Sequence, residues 1–266
     1  MKSISITTKS KLKYRIDMSF LSHFKDKTIA QIKNIKIYYG SKCLKVSDLF
    51  SVGGAPSKKI ILKNPSTLMD NVGKKLTYNN LTICGSVGNS AGTEMYSGEL
   101  IIKGNVGEGC GAGIKGGNIF VYGNTGDKLC GSPNASREGI VDGNIFISGS
   151  VGANSIQRMR RGTVFIGKNI GDNCCSNIIS GTIIIKGNIG KDFMVNPKRG
   201  TVFVKDKKVI KNYRRANNAE YNFLPFMYKL LEDLYGKKIF RDTCPKRYQG
   251  NNIDKLDFTE IYLMKN

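Results

Sequence analysis

The stretch SGELIIKGNVG at residues 97–107 decides the fold, because the sequence repeats it with a fixed period. A second copy, GGNIFVYGNTG at 116–126, begins 19 residues later. We call the glycine at the start of each copy the anchor; the anchors are Gly98, Gly117, Gly143, Gly162, Gly181 and Gly200, with Asn79 in the same place one period earlier. All intervals are 19 residues except one of 26, which holds the insertion GSPNASREG. A fixed period of this length indicates a repeat architecture.

Positions within the period have a constant character. The residues two and four places after each anchor are all aliphatic, as in Leu100 and Ile102. Residues two apart on a strand share a face, so both columns point inward. Glycines recur six and nine places after the anchors, where a corner needs positive φ or close backbone approach. The pattern predicts an all-β fold, a single-stranded right-handed β-helix of about eight coils, one coil per 19 residues.

The repeats divide the chain of 266 residues into three regions. Residues 1–57 are predicted to form an N-terminal cap over the first coil, since an open end would be an exposed sheet edge. Residues 58–208 form the β-helix. Residues 209–266 form a C-terminal tail with an amphipathic helix and a closing strand-like segment, FTEIYLMKN.

The helix of the tail is predicted within PFMYKLLEDLYGKK at 225–238. Pro225 can start a helix and Gly236 can stop it. The side expected to pack on the protein consists of Phe226, Leu230, Leu231 and Leu234.

One outward column is apolar where a solvent-facing column should be polar. We call it the aromatic stripe; it consists of the residues three places after the anchors, namely Ile101, Phe120, Phe146, Phe165, Ile184 and Phe203. A bare stripe of this size exceeds what soluble monomers expose, so something covers it. A helix of about 12 residues, roughly 18 Å long, would span about half of it. We expect the helix and a partner subunit to cover it together, with the helix alone as the alternative.

The charge of the chain points to acidic partners. Lys and Arg number 42 against 20 Asp and Glu, a net charge of +22, which favours nucleic acid, an anionic membrane or a polyanionic cofactor. A genome rich in AT would write the same Lys, Asn and Ile composition, and this alternative stays open. One corner concentrates the charge; this basic edge consists of Arg158, Arg160, Arg161, Lys198 and Arg199. It is either solvated surface charge or a site for an anion or an acidic partner.

The sequence predicts no catalytic, cofactor or metal site in this chain. His23 is the only histidine, and the seven cysteines include no CxxC pair, so zinc ribbons and sites built on several histidines are excluded. Cys110, Cys130, Cys174 and Cys175 are expected to be buried free thiols. The segment GEGCGAG at 107–113 is followed by another strand phrase, whereas a dinucleotide loop opens a helix.

Nothing in the sequence predicts membrane insertion or secretion. No run of about 18 apolar residues exists. The first residues lack the apolar block of a signal peptide. We therefore expect a cytoplasmic protein without a membrane partner.

The repeats resemble a known family. The runs GELIIKGNVGEGCGAGIKGGNIFVYGNTGDKLCGS and RMRRGTVFIGKNIGDNCCSNIISGTIIIKGNIG are similar to the β-helical subunit of formylmethanofuran dehydrogenase and to the matching subunit of the formyltransferase/hydrolase complex. They are also similar to the C-terminal domain of the glutamate synthase large subunit. The flanking segments LKVSDLFSVGG and FLPFMYKLLEDLYG look like the ends of the first family.

The resemblance implies a non-catalytic structural subunit of a complex in one-carbon metabolism. The expected partners are amidohydrolase-like, molybdopterin-dehydrogenase-like and formyltransferase-like subunits, which would carry the metal centres. The subunit itself would bind no cofactor, while the complex would use a methanofuran- or methylofuran-type carrier. An acidic arm of such a carrier could meet the basic edge.

Two other functions remain open at this point. A free-standing basic β-helix could bind a polyanion such as nucleic acid, but the phenylalanines lie in a packing column and are not interleaved with a basic groove. A glutamate-synthase-type structural domain would be fused to large catalytic domains, and the caps of this chain argue against that interpretation.

Overall fold

The computed structural model describes residues 2–24, 26–77, 79–133, 136, 138–216, 223–235, 245–251 and 256–265. Among these residues, β-strands are the main regular secondary structure. The strands are β1 (Ile4–Thr8), β2 (Ile16–Asp17), β3 (Lys36–Tyr39), β4 (Lys42–Lys45), β5 (Phe50–Gly54), β6 (Lys59–Lys63), β7 (Met69–Asp70), β8 (Asn80–Ile83), β9 (Glu99–Ile102), β10 (Asn118–Val121), β11 (Asn144–Ile147), β12 (Thr163–Ile166), β13 (Thr182–Ile185), β14 (Thr201–Val204), β15 (Tyr213–Arg215), β16 (Lys246–Asn251) and β17 (Glu260–Leu263). The helices are α1 (Ile29–Lys33), α2 (Val46–Leu49) and α3 (Phe223–Tyr235), with 3₁₀ helices at Ser19–His23 and Lys207–Asn212. None of the described helices is long and apolar enough to cross a membrane.

The repeat strands form one sheet in sequence order. Strands β6 and β8 to β14 pair in parallel within a sheet of 13 strands. The register keeps the period of the sequence, since Ile119 pairs with Leu100 on one side and with Ile145 on the other. The seven additional residues before β11 therefore lie in the connection and leave the strand register unchanged.

The repeats also meet away from this sheet. A second parallel ladder joins Val106, Thr125, Val151, Ile170 and Ile189, which lie eight places after their anchors. Backbone hydrogen bonds form a third line of contact, as where the Cys130 N–H donates to the Cys110 carbonyl at 2.7 Å. The repeats that begin at Gly98, Gly117, Gly143, Gly162 and Gly181 are thus bonded to one another along three lines.

The third line has alternating left-handed residues. Gly109, Gly111 and Gly113 have φ angles of +73°, +64° and +62°. The equivalent places in the other repeats hold larger residues with positive φ, among them Asn154, Ile156, Arg158, Asn173, Cys175, Asn177, Asp192, Met194 and Asn196. The sequence reasoning did not identify this backbone conformation.

Side-chain oxygens of one repeat also accept hydrogen bonds from backbone N–H groups of the next repeat. The Asn105 Oδ1 accepts a hydrogen bond from the Asn124 N–H at 2.8 Å, and the Asn124 Oδ1 accepts one from Ser150. The Asp127 Oδ1 accepts one from the Ala153 N–H at 2.8 Å. The Asn that follows the glycine in the KGN and YGN phrases therefore supports the next corner.

The interior is the aliphatic core that the repeats predict. No residue of the two inward columns is more than 1% exposed, and Leu100, Ile119 and Ile145 are fully buried. Burial of aliphatic side chains is the main favourable term in folding, so these columns hold the stack together.

Both ends of the sheet are extended by chain from outside the repeats. At the N-terminal end, β1 pairs in parallel with β6 and antiparallel with β5, while β4, β3, β2 and β7 form a separate small sheet. At the other end, β17 pairs in parallel with β14 and places Tyr262 beside Phe203. The sheet thus continues past residue 208 through a strand from the end of the chain.

Candidate functional site: the aromatic stripe and the basic edge

Helix α3 lies on the aromatic stripe. Phe146 and Phe165 are each 4% exposed, and Ile184 and Phe203 are fully buried. They form one apolar cluster with residues of α3 and with Tyr262. The stripe therefore continues onto β17, and most of it is buried within the chain.

The side of α3 that packs on the sheet differs from the predicted side. Leu224, Leu231 and Tyr235 are buried against the stripe. The prediction that Phe226 and Leu230 pack there is wrong, because they are 76% and 49% exposed. Leu231 packs as predicted, and the Leu234 side chain and residues 236–238 lie outside the described residues.

The physical reason for this difference is the composition of the helix. Apolar residues occur on more than one side of α3, so the sequence allows several faces to be chosen. The structure selects Leu224, Leu231 and Tyr235, which are 7 and 4 residues apart and share one side of an α-helix. The helix starts at Phe223, so Pro225 lies in its first turn, where the missing N–H has no helical partner to lose.

Tyr235 closes the end of the cluster. Its ring centroid lies 5.0 Å from that of Phe146, 5.9 Å from Phe165 and 6.1 Å from Phe120. Burial raises the pKa of the Tyr235 phenol. Its hydroxyl has no hydrogen-bond partner among the described residues. The sequence reasoning did not single out this residue.

Tyr262 was also missed as a stripe residue, although the sequence holds a signal for it. Its ring stacks on Phe203 with centroids 4.9 Å apart and planes at 15°, much as Phe146 stacks on Phe165 at 4.9 Å and 4°. The segment EIYL at 260–263 repeats the pattern of ELII at 99–102. Comparing the tail with the repeat phrase would have identified it as a further strand.

The helix leaves the N-terminal end of the stripe half-covered. At 1.5 Å per residue, the 13 residues of α3 span about 20 Å, or about four strand spacings. Phe120 is partly buried at the edge of the cluster, and Ile101 lies beyond it, also partly exposed. Tyr122, two residues after Phe120, is 50% exposed and lies 6.0 Å from the Phe146 ring.

The basic edge consists of residues that contact the insertion before β11 and residues that do not. Arg160 Nη2 lies 3.4 Å from Glu138 Oε1, and Arg158 Nη1 donates to the Ser136 carbonyl at 3.4 Å. Both partners belong to the insertion before β11. Three residues of the edge are exposed without such a contact to the insertion, namely Arg161, Lys198 and Arg199.

Lys115 continues this corner two repeats before Arg160. Its Nζ donates to the Tyr96 hydroxyl at 3.1 Å and lies 4.6 Å from the centre of that ring. The hydrogen bond to Tyr96 raises the pKa of Lys115, so the group stays cationic. The corner therefore presents cations together with an exposed aromatic ring.

The interior thiols are neutral. Cys110, Cys130, Cys174 and Cys175 are fully buried, whereas Cys43 and Cys84 are exposed. Burial raises the pKa of Cys110 to about 12 and that of Cys174 to about 11. A thiol is a nucleophile only as thiolate, so these groups pack as small apolar side chains at neutral pH.

The described part of the chain contains no cluster of metal-ligating side chains, and its clefts lie apart from the aromatic stripe and the basic edge. Within it, no group of three or more His, Cys, Asp or Glu side chains could hold a metal ion. A cleft of about 440 Å³ lies between the segment 189–197 and the 3₁₀ helix Lys207–Asn212. Asp192 and Lys208 are the charged residues that line it.

Comparisons with known proteins agree with this geometry. The GXGXG motif family matches residues 73–222, which is more than half of the chain. A solved chain of the formyltransferase/hydrolase complex from Methylorubrum extorquens, in complex with methylofuran, superimposes with a TM-score of 0.82 at 23% identity. The match covers 98% of this chain and 100% of that chain, and at this identity it shows a shared fold. No curated protein matches the sequence significantly.

Proposed function

The chain belongs to the GXGXG motif family, and on that premise we propose that it is a non-catalytic structural subunit of a formyltransferase/hydrolase or formylmethanofuran dehydrogenase complex. In this role it contributes surfaces to an assembly of one-carbon metabolism and leaves the chemistry to other subunits.

One observation carries the proposal. The fold match spans nearly all of both chains, 98% of this one and 100% of the solved one. It therefore includes the N-terminal and C-terminal segments that extend the repeats, and not the repeats alone. The solved chain comes from a formyltransferase/hydrolase complex.

The interior supports a structural role. The space between the strands is filled by aliphatic columns that are at most 1% exposed. The thiols among them are held neutral by burial, as in Cys110 and Cys174. A filled interior of this kind leaves the outer surface as the functional part of the molecule.

The proposal includes the architecture and the partners. The repeats form a right-handed β-helix with one coil per period, supported by the three lines of hydrogen bonds between successive repeats. The partners are amidohydrolase-like, molybdopterin-dehydrogenase-like and formyltransferase-like subunits, which carry the metal centres. The complex uses a methanofuran- or methylofuran-type carrier, and this chain binds no cofactor.

A polyanion-binding protein is the second candidate, and the exposed cations Arg161, Lys198 and Arg199 favour it. Single-stranded nucleic acid is bound by basic grooves whose aromatic rings stack on bases. Here the rings of Phe146, Phe165 and Phe203 are buried under α3 and are not available for stacking. The exposed ring at the basic corner, Tyr96, is already in contact with Lys115. The structural role in a complex therefore fits the surface better.

Purification from the native source tests the proposal. The chain with an affinity tag is expected to co-elute in fixed stoichiometry with amidohydrolase-like and formyltransferase-like subunits, identified by mass spectrometry and by native mass. Nuclease treatment of the sample is the control for association through nucleic acid. Recovery of a lone monomer, or of nucleic acid in place of protein subunits, would contradict the proposal.

A further inference from the structure

The third line of contact between repeats stops at Asp192, Phe193 and Asn196. One repeat earlier, the Asn173 N–H donates to the Lys191 carbonyl at 2.9 Å. The equivalent donor in the next repeat, the Asp192 N–H, has no hydrogen-bond partner within the described residues. The same holds there for the Phe193 carbonyl and the Asn196 N–H, whose equivalents in the earlier repeats are bonded. We call these three backbone groups the open edge.

The contacts on both sides of the open edge do have partners. Strand β14 pairs with β17, and the Phe258 N–H donates to the Lys198 carbonyl at 2.8 Å. On the other side, the Ile189 N–H donates to the Asp206 Oδ2 at 3.3 Å. The chain after the repeats thus caps the flanks of this corner but, among the described residues, leaves the open edge unpaired.

The open edge forms one wall of the cleft of about 440 Å³, and the 3₁₀ helix Lys207–Asn212 forms the other. A volume of this size lies within the range of ligand sites. The charged residues that line it are Asp192 and Lys208, one of each sign, while Met194 and Tyr213 belong to the apolar core. The cleft therefore selects an occupant by its shape and hydrogen bonding and not by its charge.

We propose that an extended segment of another protein subunit occupies the cleft and pairs with the open edge as a further repeat would. The inference rests on the proposed function, because it takes the partner to be a subunit of the same assembly. The Lys191 carbonyl, the Met194 N–H and the Val195 carbonyl show the required pattern, since they bond to the repeat before them. The segment therefore offers a carbonyl, an N–H three residues later and a second carbonyl one residue after that. Unpaired edges of this kind are templates for strands of partner proteins.

The backbone conformation of the edge indicates the composition of the segment. Asp192, Met194 and Asn196 have φ angles of +50°, +59° and +52°. A segment that continues the same ladder has left-handed residues at alternate positions, which glycine, asparagine and aspartate adopt most readily. We therefore expect a partner segment of at least five residues that carries these residue types at every second position.

Segments of this chain that lie outside the described residues suit the cleft less well. The pairing takes five residues, and 252–255 are only four. Residues 217–222 and 236–244 adjoin the two ends of α3, which packs on the outer side of the sheet. The cleft lies on the inner side, where Tyr213 packs with the core. An occupant from another chain therefore fits better.

A second copy and a polyanion also fit less well. The first repeat of a copy stacked end to end is already covered, since Met69 pairs with Ile16 and the Lys74 carbonyl accepts from the Ser22 hydroxyl at 2.7 Å. The open edge of a copy lies behind its own 3₁₀ helix, so two folded ends cannot meet there. A phosphate backbone offers acceptors only and leaves the Phe193 carbonyl without a donor.

The experiment compares full-length variants in the native assembly. The double variant Lys208→Trp/Asn212→Trp fills the cleft from the wall opposite the open edge, where both side chains are exposed. Its matched control is Lys207→Trp/Lys211→Trp, which changes two exposed residues of the same 3₁₀ helix that do not line the cleft. Affinity for the purified subunit that co-elutes with the wild type is measured by surface binding, and folding by thermal unfolding.

We expect the variant with the filled cleft to bind at least about tenfold more weakly, as for the loss of one or two hydrogen bonds, and the control to bind as the wild type does. Hydrogen–deuterium exchange with residue-level mass spectrometry gives a direct readout of the open edge. In the wild type, the Asp192 and Asn196 amides should exchange rapidly in the isolated chain and at least about tenfold more slowly in the complex. The Asn173 amide, already bonded to Lys191, should be protected in both states.

The outcomes separate this inference from the proposed function. A complex of the expected subunits in which the Asp192 and Asn196 amides still exchange rapidly overturns the inference and leaves the function standing, as does equal weakening by the variant and its control. Amides already protected in the isolated chain would assign the cleft to this chain's own residues, or to a second copy if protection rises with protein concentration, and overturn the inference. Absence of any complex with the wild type overturns both the proposed function and the inference.

Discussion

Gly152 shows that the recurring glycines meet two separate needs. The anchor Gly98 has φ +88°, a conformation that side chains disfavour. Gly152, nine places after its anchor, has no positive φ, but a Cβ there would lie 2.6 Å from the Asp127 nitrogen and 2.7 Å from the Gly126 carbonyl carbon. The sequence predicted a need for one or the other at each corner, and the structure assigns which.

Gly152→Ala should therefore destabilise the protein through backbone displacement. We expect the free energy of unfolding to fall by about 1–3 kcal/mol, the usual cost of overpacking. The matched control is Gly53→Ala, where a Cβ would have no neighbour within 4 Å. Both are measured by denaturant unfolding, and equal effects of the two changes would contradict the steric explanation.

The buried thiol of Cys110 makes stability depend on alkaline pH. Its pKa is raised by burial from 9.0 to about 12, so the folded state holds a proton that the unfolded state releases. The stabilisation is complete below pH 9 and is lost as the pH rises towards 12, by about 1.4 kcal/mol per pH unit. Cys110→Ala should flatten this decline relative to the wild type.

Cys43→Ala is the control for the alkaline decline, because Cys43 is exposed. Thiol labelling of the native protein, followed by peptide mapping, should modify Cys43 and Cys84 well before Cys110 or Cys175. Rapid labelling of Cys110 in the folded protein would show that the interior is accessible and that the pH argument fails.

Helix α3 marks the limit of sequence prediction at the level of elements. The strands could be predicted from columns such as Leu100 and Ile102. Residues two apart on a strand share one face, and the 19-residue period repeats that face from strand to strand, so only one side of the sheet can face the interior. The helix was predicted in the right place but with Phe226 on the wrong side. In a short helix with apolar residues on several sides, the sequence periodicity is too weak to indicate which face packs on the protein. Contact with the aromatic stripe determines that face.

Leu231 and Leu230 provide a matched pair to test the orientation of α3. Leu231 is 2% exposed and Leu230 is 49% exposed, although they are adjacent. Leu231→Ala should reduce the free energy of unfolding by about 2–3 kcal/mol through lost burial and the cavity that remains. Leu230→Ala should change it by less than about 1 kcal/mol.

Limited proteolysis distinguishes undocking of α3 from global unfolding in these two variants. Faster cleavage near the helix in Leu231→Ala alone is expected if the helix releases locally. A larger loss in Leu230→Ala than in Leu231→Ala would place the opposite side of α3 on the stripe.

The whole molecule is a stack with an excess of positive charge. Its repeat order and core were predictable, since each strand pairs with the one a period away, as β9 with β10. The basic edge was only partly predictable. The sequence grouped Arg158 and Arg160 with Arg161, but the first two contact the insertion before β11. A loop contact of that kind depends on where the inserted residues turn, which no periodic pattern encodes.

The net charge of +22 should make the thermal stability of the isolated chain depend on salt. The kind of salt distinguishes general charge repulsion from a specific anion site. Self-repulsion destabilises a compact state, and salt screens it as the Debye length falls from about 30 Å at 0.01 M to about 8 Å at 0.15 M. Over this range, NaCl should raise the thermal midpoint by about 2–4 °C, equivalent to about 1 kcal/mol.

Sodium sulfate at equal ionic strength should give the same rise if screening alone acts. A larger rise in sulfate that is lost in Arg161→Glu/Arg199→Glu would instead locate an anion site at the basic edge, and a midpoint that falls with NaCl would contradict the repulsion argument.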